Sequence, residues 1–206
     1  MKKRLTFLRK ICYNISRNDT RWSSWSHGTE GGLLVFGIGE FVYYASGGVC
    51  RIDDIQYAPL ESMPKDRQYY VMHSLHDQSG VLYVPVQSET VFLRRILTAQ
   101  EAKDLLDRVA SIEPLEEPNA KALRLKYIET MRRHDPVEWV KVIKTVYRRT
   151  RALAAVSSSQ RISDTERSFA EDSKKYLYTE LSLALDMPVK EMAAYVQAQI
   201  EANVTL

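Results

Sequence analysis

The chain is expected to be α+β, with a small β-barrel in its first half and an all-helical second half. Residues 36–96 are rich in Val, Tyr, Phe and Ile, the composition of short strands. Turn signals at Gly47-Gly48 and Asp77-Gln-Ser-Gly80 separate successive apolar runs. From residue 98 onward, apolar residues recur at helical spacing behind N-capping residues.

The first strand pair is read from Phe36-Gly-Ile-Gly-Glu-Phe-Val-Tyr-Tyr-Ala-Ser-Gly-Gly-Val-Cys-Arg-Ile-Asp-Asp-Ile55, a strand, a glycine turn and a second strand. A polar connection over 58–67 leads to a strand at Gln68-Tyr-Tyr-Val-Met-His73, followed by Gly80-Val-Leu-Tyr-Val-Pro-Val86 and Phe92-Leu-Arg-Arg95. Pro85 has no N–H to give a sheet ladder, which assigns its strand to an edge or a bulge. An edge strand is a ready site for pairing with a partner.

Thr98-Ala-Gln-Glu101 is a capping box, with Ala102, Leu105, Leu106 and Val109 behind it at helical spacing. The acidic connector Ser111-Ile-Glu-Pro-Leu-Glu-Glu-Pro-Asn119 precedes a helix with the apolar stripe Ala120, Leu123, Tyr127, Ile128 and Met131. Asp135-Pro136-Val137-Glu138 combines an acidic N-cap, proline at the first helical position and glutamate three residues after the cap. The helix it opens turns Trp139, Val140, Ile143, Val146 and Tyr147 inward. Ser163-Asp-Thr-Glu166 is a second capping box, starting a long helix with Phe169, Tyr176, Leu177, Leu181, Ala184 and Leu185 inward. Met187-Pro188 ends it, and a last helix buries Met192, Ala193, Val196 and Ile200.

The 206 residues suit one domain or two small ones, here a leader over 1–34, a barrel over 35–97 and a helical part over 98–206. No apolar run approaches the roughly 20 residues that span a bilayer. The basic start lacks the apolar core of a secretory signal, so a cytoplasmic protein is expected. Cys12 and Cys50 are the only cysteines, and two thiols make neither a disulfide framework nor a zinc site. Cys50, in a strand, reads as a small buried hydrophobe. His73 and His76 beside Asp77 lack an evident third ligand, and neither a metal nor a cofactor is expected.

The net charge of +3 conceals an asymmetry: residues 1–34 sum to +5 and the rest to −2. The leader has neither helical nor strand periodicity. It reads as a disordered tail or, because Glu30-Gly31-Gly32 can be encoded by a purine-rich ribosome-binding sequence, as a mis-set gene start with Leu33, Leu34 or Val35 as the true one. Between Lys121 and Arg151 lie ten bases against Glu129, Asp135 and Glu138. Lys141, Lys144, Arg148 and Arg151 fall on one helical face, a candidate phosphate-binding surface together with Lys121, Arg124 and Arg149.

The order of the strand runs, the helix from Asp135 to Arg149, and the helix from Glu166 through Glu180-Leu-Ser-Leu-Ala184 resembles the CarD/CdnL family of bacterial transcription regulators over residues 35–185. The resemblance implies a Tudor-like barrel that docks by strand-edge contact on the lobe of the RNA polymerase β subunit, and helices that touch promoter DNA. The positions matching the family's basic docking residues are Ala58 and Tyr83, so docking would lean on packing by Tyr83 more than on charge. Where the family has asparagine followed by a tryptophan wedged into the minor groove, this chain has Asn119-Ala120. Alanine cannot open a base step, and Trp139 is spaced for the core. Contact through phosphates is therefore the better supported expectation.

There is no glycine-rich phosphate loop, G-x-S-x-G or H-E-x-x-H, and an enzyme is not expected. The expected protein is a monomeric, nucleoid-associated regulator bridging polymerase to promoter DNA and modulating open-complex stability. The competing reading is a protein-binding adaptor whose helices only scaffold.

Overall fold

The computed structural model describes residues 36–58, 60–76, 80–88, 91–156 and 161–203. The expected leader, its alternative starts at Leu33, Leu34 or Val35, and the serine-rich segment 157–160 lie outside them.

Five antiparallel strands, β1 (Phe41–Tyr44), β2 (Gly48–Tyr57), β3 (Gln68–Ser74), β4 (Val81–Pro85) and β5 (Leu93–Arg95), form one sheet in the order β4-β3-β2-β1-β5. The α+β expectation holds. The expected barrel is present as an open sheet, since the end strands β4 and β5 do not pair among the described residues. β2 carries a register shift between Ile52 and Asp54 where it pairs with β3. Such an irregularity bends and twists a long strand. The first strand begins at Phe41 rather than Phe36. Phe36 instead donates its backbone N–H to the Tyr70 hydroxyl at 2.9 Å and packs against that ring.

Successive side chains of a strand point to opposite faces, and the sheet uses this to serve two cores. One face carries Val42, Cys50, Ile52, Tyr70, Met72 and Val84, closed by Phe36. The Cys50 thiol is fully buried there, which pushes its pKa up to about 12, so it is the inert hydrophobe expected. From the other face, Tyr43 and Val49 enter the helical core beside Trp139, Val140, Ile143, Leu177 and Leu181. Sheet and helices therefore share one apolar interior.

Gly48 sits where the two halves meet, with φ +70°. A β-carbon there would lie 2.6 Å from the His76 side chain and 2.8 Å from Tyr176. Left-handed backbone costs a residue bearing a Cβ roughly 1–2 kcal/mol. Gly48→Ala is expected to lose about 2 kcal/mol by denaturant unfolding. An unchanged midpoint would contradict this packing.

The helices are α1 (Ala99–Arg108), α2 (Ala120–Arg132), α3 (Pro136–Ala155), α4 (Asp164–Ala184) and α5 (Val189–Asn203). The caps at Thr98, Asp135 and Ser163 are those the sequence announces, and Asn119 adds a fourth. Thr98 and Ser163 each form a reciprocal capping box with the glutamate three residues on, and Asp135 and Asn119 accept N–H bonds from Val137 and Ala122. From Pro136 to Val146 α3 is buried almost all round: Trp139, Val140 and Ile143 face the main core. Val142 and Val146 face a second one with Leu115, Leu123, Tyr127 and Ala170. The connector leaves α1 through a short 3-10 turn (Val109–Ser111) and buries Leu115 against α3. Ala120, expected in the apolar stripe of α2, is exposed at the first turn instead. No helix among the described residues is long and apolar enough to cross a membrane.

Candidate functional site

β4 is an edge of the sheet among the described residues, one of the two placements, edge or bulge, that Pro85 allowed. Tyr83 lies at its centre, opposite Val71 of β3, and the exposed Val81 lies two residues away on the same face, opposite His73. Tyr83, Val81 and Val71 thus make a short apolar row beside a strand edge that is open among the described residues. His73 hydrogen-bonds Asp53 at the border of this row. Ala58 lies just beyond the end of β2, half-buried, with φ +37°. It sits one residue past the Tyr57–Gln68 pair, whereas Tyr83 lies farther along β3.

The seven expected phosphate-binding cations do not form one surface. Lys144 is the plainest correction. Only 3 % of it is exposed, and its ammonium donates to the backbone carbonyls of Val109, Ala110 and Ile112 at 2.9, 2.9 and 2.6 Å. Burial lowers its pKa. Helical spacing does place it near Lys141 and Arg148, but the connector crosses that face of α3 and covers it. Thr145 beside it accepts the Leu115 N–H at 2.7 Å, fastening the same connector.

Three more of these cations are occupied by acids. Lys141 pairs with Glu138 at 2.7 Å, Arg148 with Glu116 at 3.1 Å and Arg149 with Glu166 at 2.8 Å. Glu116 and Glu166 come from neighbouring segments, outside the helix whose charge the sequence count considered. Lys121, Arg124 and Arg151 are exposed and have no ion pair among the described residues. Arg132, also exposed and unpaired among them, belongs with Lys121 and Arg124 on α2. The available positive surface is thus centred on α2 rather than α3.

A charged junction ties the sheet to the helices. Arg94 of β5 binds Glu180 of α4 through both terminal nitrogens, at 2.6 and 3.0 Å, and donates from Nε to the His134 carbonyl at 3.0 Å. Glu180 is fully buried, and its carboxylate also accepts the Leu97 N–H at 2.8 Å. The guanidinium lies 4.6 Å from the Tyr43 ring centroid and 5.6 Å from that of Trp139. The Tyr43 hydroxyl meets His134 Nδ1 at 3.3 Å. Burial raises the Tyr43 pKa, while burial and then Arg94 lower that of His134. His76, facing Tyr176, is pushed down to about 4 by burial and then by Lys175. These neutral rings and the paired charges build a joint, with no nucleophile–base constellation among them.

The Arg94–Glu180 pair was not anticipated. Its signal was present, because Glu180 stands between Leu177 and Leu181 on the inward stripe of its helix, where an acid needs a partner. No group of three His, Cys, Asp or Glu among the described residues is arranged to hold a metal ion.

Residues 36–97 match the family described as the CarD-like/TRCF RID domain, covering the sheet and ending just before the cap of α1. No curated protein matches the chain. The matched domain type implies interaction with RNA polymerase in transcription.

Proposed function

We propose, from the premise that residues 36–97 make this chain a CarD-like, RNA polymerase-interacting family member, that it docks on the polymerase β subunit through β4 and brings its helices against promoter DNA. The open edge of β4, with Tyr83 at its centre inside the matched domain, is the observation that carries this reading. An unpaired edge supplies main-chain donors and acceptors, and the Tyr83–Val81–Val71 row supplies apolar area. Ala58, just beyond the end of β2, is a secondary contact position.

DNA contact is supported by Lys121, Arg124 and Arg151, which are exposed and free of ion pairs among the described residues. Lys141, Arg148 and Arg149 are already paired and are auxiliary at most. Lys144 is not carried into the proposal. The bridge would act in the cytoplasm, on the nucleoid, as a monomer, and would modulate open-complex stability at initiation.

The test is binding of the full chain to a bacterial RNA polymerase β-lobe fragment. Tyr83→Ala is expected to weaken it about tenfold or more, the scale of an interface anchor. Wild-type binding too weak to measure would remove the premise of docking.

A second reading, a polymerase-bound adaptor without productive DNA contact, is favoured by the exposed Ala120 at the start of α2 and by the engaged Lys141, Lys144, Arg148 and Arg149. Salt separates the two. Phosphate contacts make log affinity for promoter DNA fall with log salt by about 0.9 per contact, whereas an adaptor adds no such slope.

A further inference from the structure

Sheet and helices also meet one turn before Glu180 on α4, around a cavity of about 250 Å³. Ser46, Gly47, Ser74 and His76 line it from the strand ends, and Lys175 and Tyr176 line it from α4. Short bonds fix the sheet side. The Ser74 hydroxyl donates to the Gly47 carbonyl at 2.6 Å and accepts the His76 N–H at 3.1 Å. Leu75 donates its N–H to the Val49 carbonyl at 2.9 Å, holding the end of β3 against the start of β2. Gly48, with no β-carbon to strike the His76 ring, lets that ring lie edge-on to Tyr176 with centroids 5.6 Å apart.

Hydrogen-bonding capacity is left over at this cavity. His76 Nε2 is buried with no partner among the described residues, so its lost hydration is uncompensated. Lys175 is exposed and has no ion pair among them, while Glu171 of the same helix is taken by Lys174 at 2.9 Å. No acid lines the cavity among the described residues. Asp172, one turn before Tyr176, stays outside the lining, although after burial it adds to raising the Tyr176 pKa. Burial and then Lys175 lower the His76 pKa to about 4, so the ring is neutral at pH 7. An anion in the cavity would relieve both effects, accepting from the imidazole and offsetting the ammonium.

Donors without acids select an anion, and the volume selects a small one, below the roughly 300 Å³ where pockets for drug-sized ligands begin. A phosphate monoester presents three strong acceptor oxygens, one each for the Ser46 hydroxyl, the His76 imidazole and the Lys175 ammonium. A carboxylate has only two oxygens, and a phosphate within a DNA strand keeps only two that are not bonded to sugar. We propose that this cavity binds inorganic phosphate or the terminal phosphate of a small monoester, with Lys175, His76 and Ser46 donating to its oxygens. Because the donors come from both the sheet and α4, the bound anion bridges the two halves and tightens their joint. The site does not depend on the proposed DNA contact, whose free cations lie on α2 and at Arg151.

The test titrates inorganic phosphate, and separately glycerol 3-phosphate, into the full chain at neutral pH and fixed ionic strength. Proton NMR follows the imidazole Cε1–H signals, and loss of one signal in His76→Gln identifies that of His76. In the wild type this signal is expected to shift saturably with one or both ligands, and the urea midpoint to rise with occupancy. Saturation by glycerol 3-phosphate alone assigns the site to a monoester, and saturation by inorganic phosphate to the free ion. Lys175→Gln should weaken the titration about tenfold or more, and Ser46→Ala should weaken it less. Both positions are exposed, so neither variant threatens the fold. Acetate that moves the His76 signal as far at equal concentration would overturn the selection of phosphate. A His76 signal that neither ligand moves would overturn the site, and so would a midpoint that rises equally in wild type and Lys175→Gln, the general effect of an excluded salt.

Discussion

Arg94→Ala is expected to cost about 3–5 kcal/mol of stability, the scale for removing one partner of a buried ion pair. The loss is large because of what remains. Glu180 is fully buried, and two of its hydrogen bonds come from the guanidinium. Without Arg94 the carboxylate keeps only the Leu97 N–H and must either stay ionised in an apolar core or take up a proton. The Tyr43 and Trp139 rings also lose the cation stacked near them. Urea unfolding reads the effect, and a double-mutant cycle with Glu180→Gln separates the pair from its surroundings. Arg94→Met combined with Glu180→Met should recover most of the loss, since two apolar side chains leave no uncompensated charge. A loss below about 1 kcal/mol for Arg94→Ala would mean that the joint is held by its aromatic packing alone. The pair joins β5, within the stretch that matches the CarD-like/TRCF RID domain, to α4. Arg94→Ala is therefore also expected to loosen the sheet from the helices and weaken any bridging more than docking.

Lys144→Ala is expected to lose about 2–4 kcal/mol, because the carbonyls of Val109, Ala110 and Ile112 lose their shared donor in a buried setting. Lys144→Met should lose nearly as much, since it keeps most of the stem and removes only the ammonium. Arg148→Ala, about one turn farther along α3, removes a pair with the largely exposed Glu116 and a long contact to the Leu115 carbonyl, and should change stability by no more than about 1 kcal/mol. The contrast separates two residues that a charge count treats alike. If Lys144→Ala unfolds at the wild-type urea midpoint, the connector is not fastened as described. Any loss of DNA contact in a Lys144 variant would follow from release of the connector over α3, whereas a Lys121 or Arg124 variant should lose contact with its stability unchanged.

These cases locate the limit of reading the chain in one dimension. Helix starts were legible to the residue at Thr98, Asp135 and Ser163, because a cap is a bond between a side chain and an N–H two or three positions away. Pro85 announced an edge strand or a bulge for an equally local reason, a missing N–H. Cys50 and Trp139 were legible as core, because period-2 and period-3.6 patterns state which face a side chain takes. Residues 36–97, which match the CarD-like/TRCF RID domain, span the strand runs.

The candidate basic site was less legible because a charge is defined by its partners, and those partners are distant in sequence. Lys144 and Arg148 have the same local credentials. What differs is that the carbonyls of Val109, Ala110 and Ile112 close over Lys144, while Arg148 meets only Leu115 and the exposed Glu116 at the connector's edge. Arg149 is taken by Glu166, which belongs to another helix. Glu180 needed Arg94, 86 positions away, before its place on an apolar stripe made sense. Hydrogen bonds within a turn and the period of apolar residues follow from adjacent residues, so the elements, their ends and their inward faces could be read from the chain. Which cation is buried, which is neutralised and which meets solvent depends on segments brought together by burial of the shared core. That pairing, and with it the move of the positive surface from α3 to α2, arises only when the chain is folded.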